Sequence, residues 1–488
     1  MKLITETKIL ILIFVGIIFA FSPIINNWLK FNTGFDEKTS ENNDIINLDN
    51  KNLQISAVSG KIHIDNNWSA AKSVGICTGS GTSSDPYVIK NLIIDGEGSG
   101  SCIWIENSTV YFKIENCTLY NSGNFSVVNN TVVYYSAGIY LSYVSNAQII
   151  DNNCSSNYIG ICLTSSKSSN ISENKVNIND FMGIYLTECY FNTISGNTAM
   201  NITNGAGIYL YMSYFNNIFG NSLFNNGGGI GLMICDYNTI SGNIVKNCLG
   251  SGIYLAGGNY NGISENTVNN NSVGIYLNGE FYNNVYENVV FNNSQHGIVI
   301  TSGQHNDISE NIINNSTLCG IFLEGSSYNK ISINAVFNNK IGMFFGSRLG
   351  LGCQDNRVTE NIVKNNRKYG IGCDSWATSN DVYRNSFNNS LNAYDNGSNN
   401  WDNGFVGNYW SDYTGVDEDG DGIGDTPYSI NGMAGSKDNY PLVSNSDHPN
   451  SVPENPFERL ILITIISGGA VISVATVLLI IRKRKRIS

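Results

Sequence analysis

Four carboxylates near the C-terminal end have the spacing best suited to chemistry. In "DEDGDGIGD", Asp417, Asp419, Asp421 and Asp425 are followed or interrupted by glycines such as Gly422, like the start of a D-x-D-x-D-G calcium loop, where alternate spacing lets several oxygens converge on one hard cation. Tyr428 occupies the twelfth position, where such loops carry a bidentate Glu, so Asp425 has to help close the site. Calcium is the expected ion, and a solvated acidic loop is the plain alternative. Two further sets emerge when the chain is aligned with itself. The residue before a recurrent Asn is Glu265, Glu287 and Glu310 in three successive repeats, with Glu173 and Glu360 elsewhere in the column. Carboxylates stacked about 4.8 Å apart repel, so the row could take a divalent cation or raise one pKa for acid-base work on a sugar; glutamates pointing into water are the alternative. The third position of a recurrent G-I-x-L is Tyr140, Tyr185, Tyr209, Tyr254, Tyr276, Phe322 or Phe344 in seven repeats. It lies between two inward residues, so the pattern predicts an outward aromatic stripe. Such a stripe suits the apolar faces of sugars, or is ordinary cross-strand pairing.

The repeat that positions these residues is regular. A Gly followed by alternating apolar residues recurs at Gly138, Gly160, Gly183, Gly207, Gly229, Gly252, Gly274, Gly297, Gly320, Gly342 and Gly370. The steps are 22 to 24 residues until the last, which carries an insertion around Arg348 to Gln354. About eight residues on, a second short strand centres on Ile149, Ile171, Ile194, Ile218, Ile240, Ile263, Val285, Ile308, Ile331, Val358 and Val382, and an Asn stands three residues after each. A third strand follows, as at Val176, Leu223, Val245, Val268 and Phe387. Three short strands separated by Asn, Gly and Ser leave no room for a crossover helix. Each period therefore stacks on the one before, with like strands pairing in parallel. Because parallel crossovers are overwhelmingly right-handed, the expectation is an all-β, right-handed, single-stranded parallel β-helix. The Asn column reads as structural: Asn tolerates unusual backbone angles at bends, and aligned amides can bond along the stack.

Composition agrees with a solenoid: 488 residues hold 76 Asn and 50 Gly but only 7 Pro, with 14% charged residues. The formal charge is −12, of which the tail Arg482 to Arg486 contributes +5, leaving −17 on residues 1–481. So acidic a body repels phosphate backbones, which argues against nucleic acid and for cations as partners. The 11 Cys form no recognisable framework. Cys154 and Cys373 fall in core columns, Cys189, Cys235 and Cys353 share a column but lie too far apart to bridge, and Cys77, Cys102 and Cys117 are the candidates for pairing.

The chain ends read as membrane signals. Residues 1–25 form a signal peptide or, through the apolar run Ile9 to Ile25, an uncleaved signal anchor. Residues 26–55 are a linker, 56–400 the β-helix, 401–442 a Trp- and Tyr-rich cap containing the acidic loop, and 443–458 a Pro-containing stalk. Residues 459–481 are long and apolar enough for a transmembrane helix, and the basic tail 482–488 then lies in the cytoplasm, with the β-helix outside the cell or in the periplasm.

Three stretches carry a resemblance: "GTSSDPYVIKNLIIDGEGSGSCIWIENSTVYFKIENCTLYNSG" (Gly81 to Gly123), the repeats, and "NNWDNGFVGNYWSDYTGVDEDGDGIGDTPYSI" (Asn399 to Ile430) with "DNYPL" after it. Together they resemble the NosD-like family of periplasmic or surface β-helix proteins, whose repeats are shared with carbohydrate-binding and sugar-hydrolase β-helices. The resemblance implies a right-handed β-helix and, through the family's named member, an accessory role in maturing the copper centre of nitrous oxide reductase. Copper selection wants converging soft ligands, whereas His63, His296, His305 and His448 are scattered, which disfavours copper. No Asp pair joined to His, Arg or Lys on adjacent coils is apparent. The preferred reading is thus a non-catalytic surface scaffold binding polysaccharide or another envelope component. The alternatives are a polysaccharide lyase, epimerase or hydrolase, and copper-centre maturation.

Overall fold

The computed structural model describes residues 60–128 and 131–444. The signal segment, the linker, the 459–481 span and the basic tail lie outside the described residues, as does most of the stalk. Among the described residues no helix is long and apolar enough to cross a membrane.

The G-I-x-L strands form a parallel ladder, as the repeat predicts, continued at its ends by strands such as Ile103–Glu106 and Ala393–Asp395. Ile139, Ile161, Ile184, Ile208, Ile230, Ile253 and Ile275 stand in one column, each partnered with the next. Their side chains are all but inaccessible. The second strands keep the same register through Ile149, Ile171, Ile194, Ile218 and Ile240. The third strands, three residues each, align Ala199, Leu223 and Val245. The protein is an all-β parallel solenoid of about 14 turns.

The described residues fall into two units, one holding residues up to Gly262 together with Val268–Asn283, the other Ile263–Thr267 together with the chain from Asn284. In the first unit, the short helix Trp68–Ser73 covers the opening coils: the Trp68 ring stacks on Tyr87 at 4.9 Å and its Nε1 donates to Ser108 Oγ at 2.8 Å. This unit also carries an antiparallel hairpin, Phe125–Val128 with Thr131–Tyr135, inserted between coils. In the second unit, residues after Trp401 close the last coil. Trp410 stacks between Phe387 at 4.8 Å and Tyr428 at 4.4 Å. Two buried carboxylates lock this cap. Asp395 accepts from Trp401 Nε1 (3.0 Å) and Ser436 Oγ (2.7 Å), and Asp438 accepts from Trp410 Nε1 (2.8 Å) and the Asn408 amide (2.7 Å).

The corners decide whether such a coil can close, because a buried bend strands backbone donors and acceptors. Here buried Asn side chains answer them. Asn197 Nδ2 donates to the Ile171 carbonyl (2.8 Å) and to Asn221 Oδ1 (3.0 Å), while Asn197 Oδ1 accepts from the Asn174 amide at 2.9 Å. The same pattern links Asn152, Asn174, Asn197, Asn221 and Asn243 in the first unit. In the second it links Asn266, Asn288, Asn311, Asn334, Asn361, Asn385 and Asn408. The sequence reading placed the unusual backbone angle on these Asn residues, and the structure moves it one residue earlier: Glu173 has φ 59°, Gly196 65° and Glu265 55°. The first Asn of each N-x-[IV]-x-x-N motif builds another buried ladder, Asn192, Asn216, Asn238, Asn261 and Asn283. Repeat glycines answer to close approach. A Cβ on Gly160 would meet the Gly183 carbonyl oxygen at 2.6 Å and Asn179 Nδ2 at 2.8 Å.

All eleven cysteines are buried free thiols, so Cys77, Cys102 and Cys117 are not bridged. Burial pushes the Cys102 thiol up to about 12. Cys189 and Cys235 instead serve a corner column that elsewhere holds Ser: the Cys235 sulfur accepts from the Ser213 amide at 3.3 Å, and Cys189 Sγ faces the Thr187 carbonyl at 3.3 Å.

Two expectations follow. Asn197→Ala deletes several buried bonds at once and costs about 3–5 kcal/mol at roughly 1–3 kcal/mol per stranded group. Exposed Asn225, whose side chain bonds only Asn201 (3.2 Å) and Asn247 (3.1 Å) at a left-handed corner of φ 57°, costs about 1 kcal/mol when replaced by Ala. Hydrogen exchange resolved by coil separates the two, since solenoids open locally. The second concerns the cap. Burial raises the Asp438 carboxyl from 3.8 to about 6, so the folded cap holds this proton more tightly than the unfolded chain. Its stabilisation is complete below pH 3.8 and is lost as pH rises through about 6, a loss of about 3 kcal/mol for a two-unit shift. Denaturant unfolding followed by tryptophan fluorescence between pH 4 and 7.5 measures it, and Asp438→Asn flattens this component.

Candidate functional site

Three of the four aspartates of the acidic loop come together. Ligand oxygens of Asp417, Asp419 and Asp421 lie within 4.8 Å of one another, the one group of three or more His, Cys, Asp or Glu side chains so placed among the described residues. The loop's own amides shape it: Asp417 accepts from the amides of Gly420 (2.8 Å) and Gly422 (2.9 Å), and Asp421 from that of Ile423 (2.8 Å). Asp425 stands apart from the trio and accepts from the Glu418 amide at 2.8 Å, bracing the loop's base. Three hard carboxylate oxygens facing solvent suit an oxygen-seeking divalent cation.

Glu265, Glu287 and Glu310 are adjacent in the ladder but do not gather into such a group. Their column is the left-handed corner, with φ 55°, 54° and 56°. The same corner is filled by Gly196, Gly220, Gly242, Ile333 and Arg384 in other coils. A position that takes Gly, Ile, Glu and Arg answers to backbone shape rather than to acid-base chemistry.

The G-I-x-L aromatics need a larger correction, because they are not an exposed stripe. Tyr140 is 6% exposed, Tyr185 9% and Tyr254 1%, while Tyr209, Tyr276, Phe322 and Phe344 are part-buried. Alternation does turn them away from the core, but other rings cover them. Tyr135, at the end of the inserted hairpin, meets Tyr185 edge-on at 5.7 Å and stacks on Tyr158 and Phe181. The Tyr254 hydroxyl accepts from Asn278 Nδ2 at 3.2 Å. Burial raises the Tyr185 and Tyr254 phenols well above their usual range.

A different aromatic column is exposed. Phe191, Phe215, Tyr237, Tyr260 and Tyr282 stack with centroids 5.0 to 5.3 Å apart and planes within 15°. They occupy a second left-handed corner, with φ near 56°, one residue before the Asn192 ladder. The sequence signal was an aromatic immediately before N-x-[IV], to which the repeat pattern assigned no role. Beside it runs the outward face of the second sheet, Gln148, Asn170, Thr193, Asn217 and Thr239, in register and uncharged.

In the second unit the same two columns change character. His305 stacks on Tyr328 at 5.3 Å, and Tyr328 bonds Asp355, whose charge pushes its phenol up. Asp307, Lys330, Arg357 and Asp381 align on successive coils, with Lys330 Nζ 2.9 Å from Asp307 Oδ2. The structure therefore supplies the mixed carboxylate and cation row that was not apparent in the sequence, because residues 23 to 27 apart had to be set in register.

The described histidines have separate environments. His63 Nε2 lies 2.7 Å from Glu106 and its ring stacks on Trp104. His296 accepts from the Cys319 amide at 3.4 Å, and burial lowers it to about 4.

Against this geometry, the family described as periplasmic copper-binding protein (NosD) matches residues 95–273 and 261–415. The chain belongs to the NosD family. Members' copper is a test for the donor set, and the described residues do not fit it: their one cluster of potential ligands is all carboxylate, whereas copper selection wants nitrogen and sulfur. No curated protein matches the chain. Solved structures similar to this NosD-family chain include the periplasmic alginate epimerase AlgG (16% identity, 56% of this chain and 74% of that one, TM-score 0.34). Others are an exopolygalacturonase from Thermotoga maritima (12%, 55% and 84%, 0.40) and the A-module of the mannuronan C-5 epimerase AlgE4 from Azotobacter vinelandii (10%, 70% and 97%, 0.32).

If the glutamate corner is conformational, Glu287→Gly relieves a left-handed non-Gly residue and stabilises the protein by about 1 kcal/mol. An unchanged or lower stability instead shows that the Glu287 side chain makes stabilising contacts of its own. Chemical denaturation of the variant beside the parent reads the sign.

Proposed function

We propose that this NosD-family protein is a membrane-anchored β-helix, held outside the cytoplasm, that binds polysaccharide or another envelope component without transforming it. The observation that carries this reading is the exposed stack from Phe191 to Tyr282 beside an uncharged face of amides and hydroxyls. The ring face left open at the Phe191 end of that stack and the hydrogen-bonding wall are the two surfaces a saccharide needs, one for its C–H faces and one for its hydroxyls. The binding surface thus moves from the Tyr140 to Phe344 column to this corner. Calcium at Asp417, Asp419 and Asp421 stiffens the cap loop. Anchoring rests on the apolar run 459–481 and the basic tail, read from sequence.

A catalytic reading has one observation in its favour, the Asp307, Lys330, Arg357, Asp381 row beside His305 and Tyr328. Arg357 has no ion-pair partner among the described residues, and a guanidinium suits the carboxylate of a uronate. Neighbouring imidazole and phenol groups could then exchange a proton with the sugar.

The test is a glycan binding and turnover screen on the detergent-solubilised full chain, with and without calcium. Binding without product release is expected, together with a higher melting temperature in calcium that Asp419→Asn abolishes. At a hundred times its Kd, calcium stabilises the folded loop by about 2.7 kcal/mol. Cleavage or epimerisation of a uronate polymer that disappears in Arg357→Ala replaces the scaffold reading with the catalytic one.

A further inference from the structure

The exposed aromatic column has a gap, and the gap is a better site than the column itself. Rings stacked at 5.0 to 5.3 Å with planes within 15° close each other's faces and offer solvent only their edges. A sugar binds an aromatic through the ring face. Within the first unit, the face of Phe191 turned away from Phe215 is not covered in this way, and Phe191 is 61% exposed. The next positions in its column are Ser168 and Asn146, and only then does an aromatic return, at Tyr111. Two rungs of the stack are therefore missing. At ~4.8 Å per coil, Phe191 and Tyr111 stand ~14 Å apart across them.

A shallow depression of about 250 Å³ occupies this place, framed by Tyr111 and Phe191, with Asn146, Gln148, Ser168 and Thr193 in its lining. The side chains of Gln148, Ser168 and Thr193 make no hydrogen bond to the described protein, so their donors and acceptors are available to a ligand. No lining residue is charged. Lys113, in register with Gln148, is already ion-paired to Glu115 on its own strand. With a formal −17 on the chain ahead of the tail, nothing here attracts a carboxylated sugar.

We infer that this notch is a saccharide subsite in which neutral pyranose rings take the places of the two missing rungs, one face of the sugar resting on Phe191 and its hydroxyls on Gln148, Ser168 and Thr193. The inference rests on the polysaccharide-binding reading above and specifies where and what is bound. The Phe215 to Tyr282 stack then acts as a rigid backing that holds Phe191 in place, since its own faces are occupied.

Calorimetric titration of the full chain with cellohexaose, maltohexaose and mannohexaose, and with oligogalacturonate as the acidic control, tests it. At least one neutral hexasaccharide is expected to bind, with Phe191→Ala weakening it tenfold or more. Ser168→Tyr refills a rung with a residue type that this corner already carries at Tyr237 and Tyr260; it is expected to fold with an unchanged melting temperature and to abolish binding. Neutral binding that survives Ser168→Tyr overturns the notch but leaves polysaccharide binding elsewhere on the solenoid intact. Binding of oligogalacturonate alone overturns the neutral class. No binding of any saccharide removes both the notch and the reading beneath it.

Discussion

The structure depends on how a polypeptide turns a corner inside a protein without leaving its peptide groups unanswered. Each coil has buried bends where N–H and C=O groups point away from the strand ladders, and leaving them unpaired costs more than any single apolar contact returns. Asparagine resolves this because its amide both donates and accepts in one plane. It bonds a carbonyl and an amide of the preceding coil and the side-chain oxygen of the next Asn, as Asn197 does with Ile171, Asn174 and Asn221. Apolar columns such as Ile194 and Ile218 fill the space that these corners enclose. Without the corners the columns would have no register to keep.

A second consequence concerns the residue just ahead of each buried Asn. The bend is tight enough to force a left-handed backbone there, and the side chain then projects off the corner into solvent. Its chemical type is thereby released from packing, so that one such column runs through Glu, Gly, Ile and Arg and another through Ser, Phe, Tyr and His. Stacking between coils is what restores order. Aromatic neighbours gather into a continuous pile from Phe191 to Tyr282, whereas like-charged glutamates do not converge.

Periodicity made the architecture legible. The Ile columns and the Asn that follows each of them are local patterns, and stacking translated them directly into neighbours. The acidic loop was legible for the same reason, because Asp417, Asp419 and Asp421 lie within five residues of one another. Three features were not. Alternation places the third residue of G-I-x-L outside the core but is silent on what lies over it, so the burial of Tyr254 could not be read. The true exposed ring sits at a corner, where period-two reasoning ceases to apply. The row Asp307, Lys330, Arg357, Asp381 depends on a step of 27 residues across an insertion, which breaks the simple count. Of the cysteines, the candidates Cys77, Cys102 and Cys117 are buried free thiols rather than a bridge, while Cys235, read as unable to bridge, stands in for Ser as a corner acceptor.

The inserted hairpin carries an implication of its own. It leaves the solenoid between two coils and returns, so the winding on either side continues in register through Ile105, Leu141 and Leu163. Yet its final residue, Tyr135, lays a ring over the next two turns, through Tyr158 on one and Phe181 and Tyr185 on the other. Lengthening or trimming a single excursion of this kind would re-tailor a broad patch of the exterior while the load-carrying wall stayed as it was. Variation in this architecture can thus proceed by grafting at bends, with the inner lattice conserved as a mount.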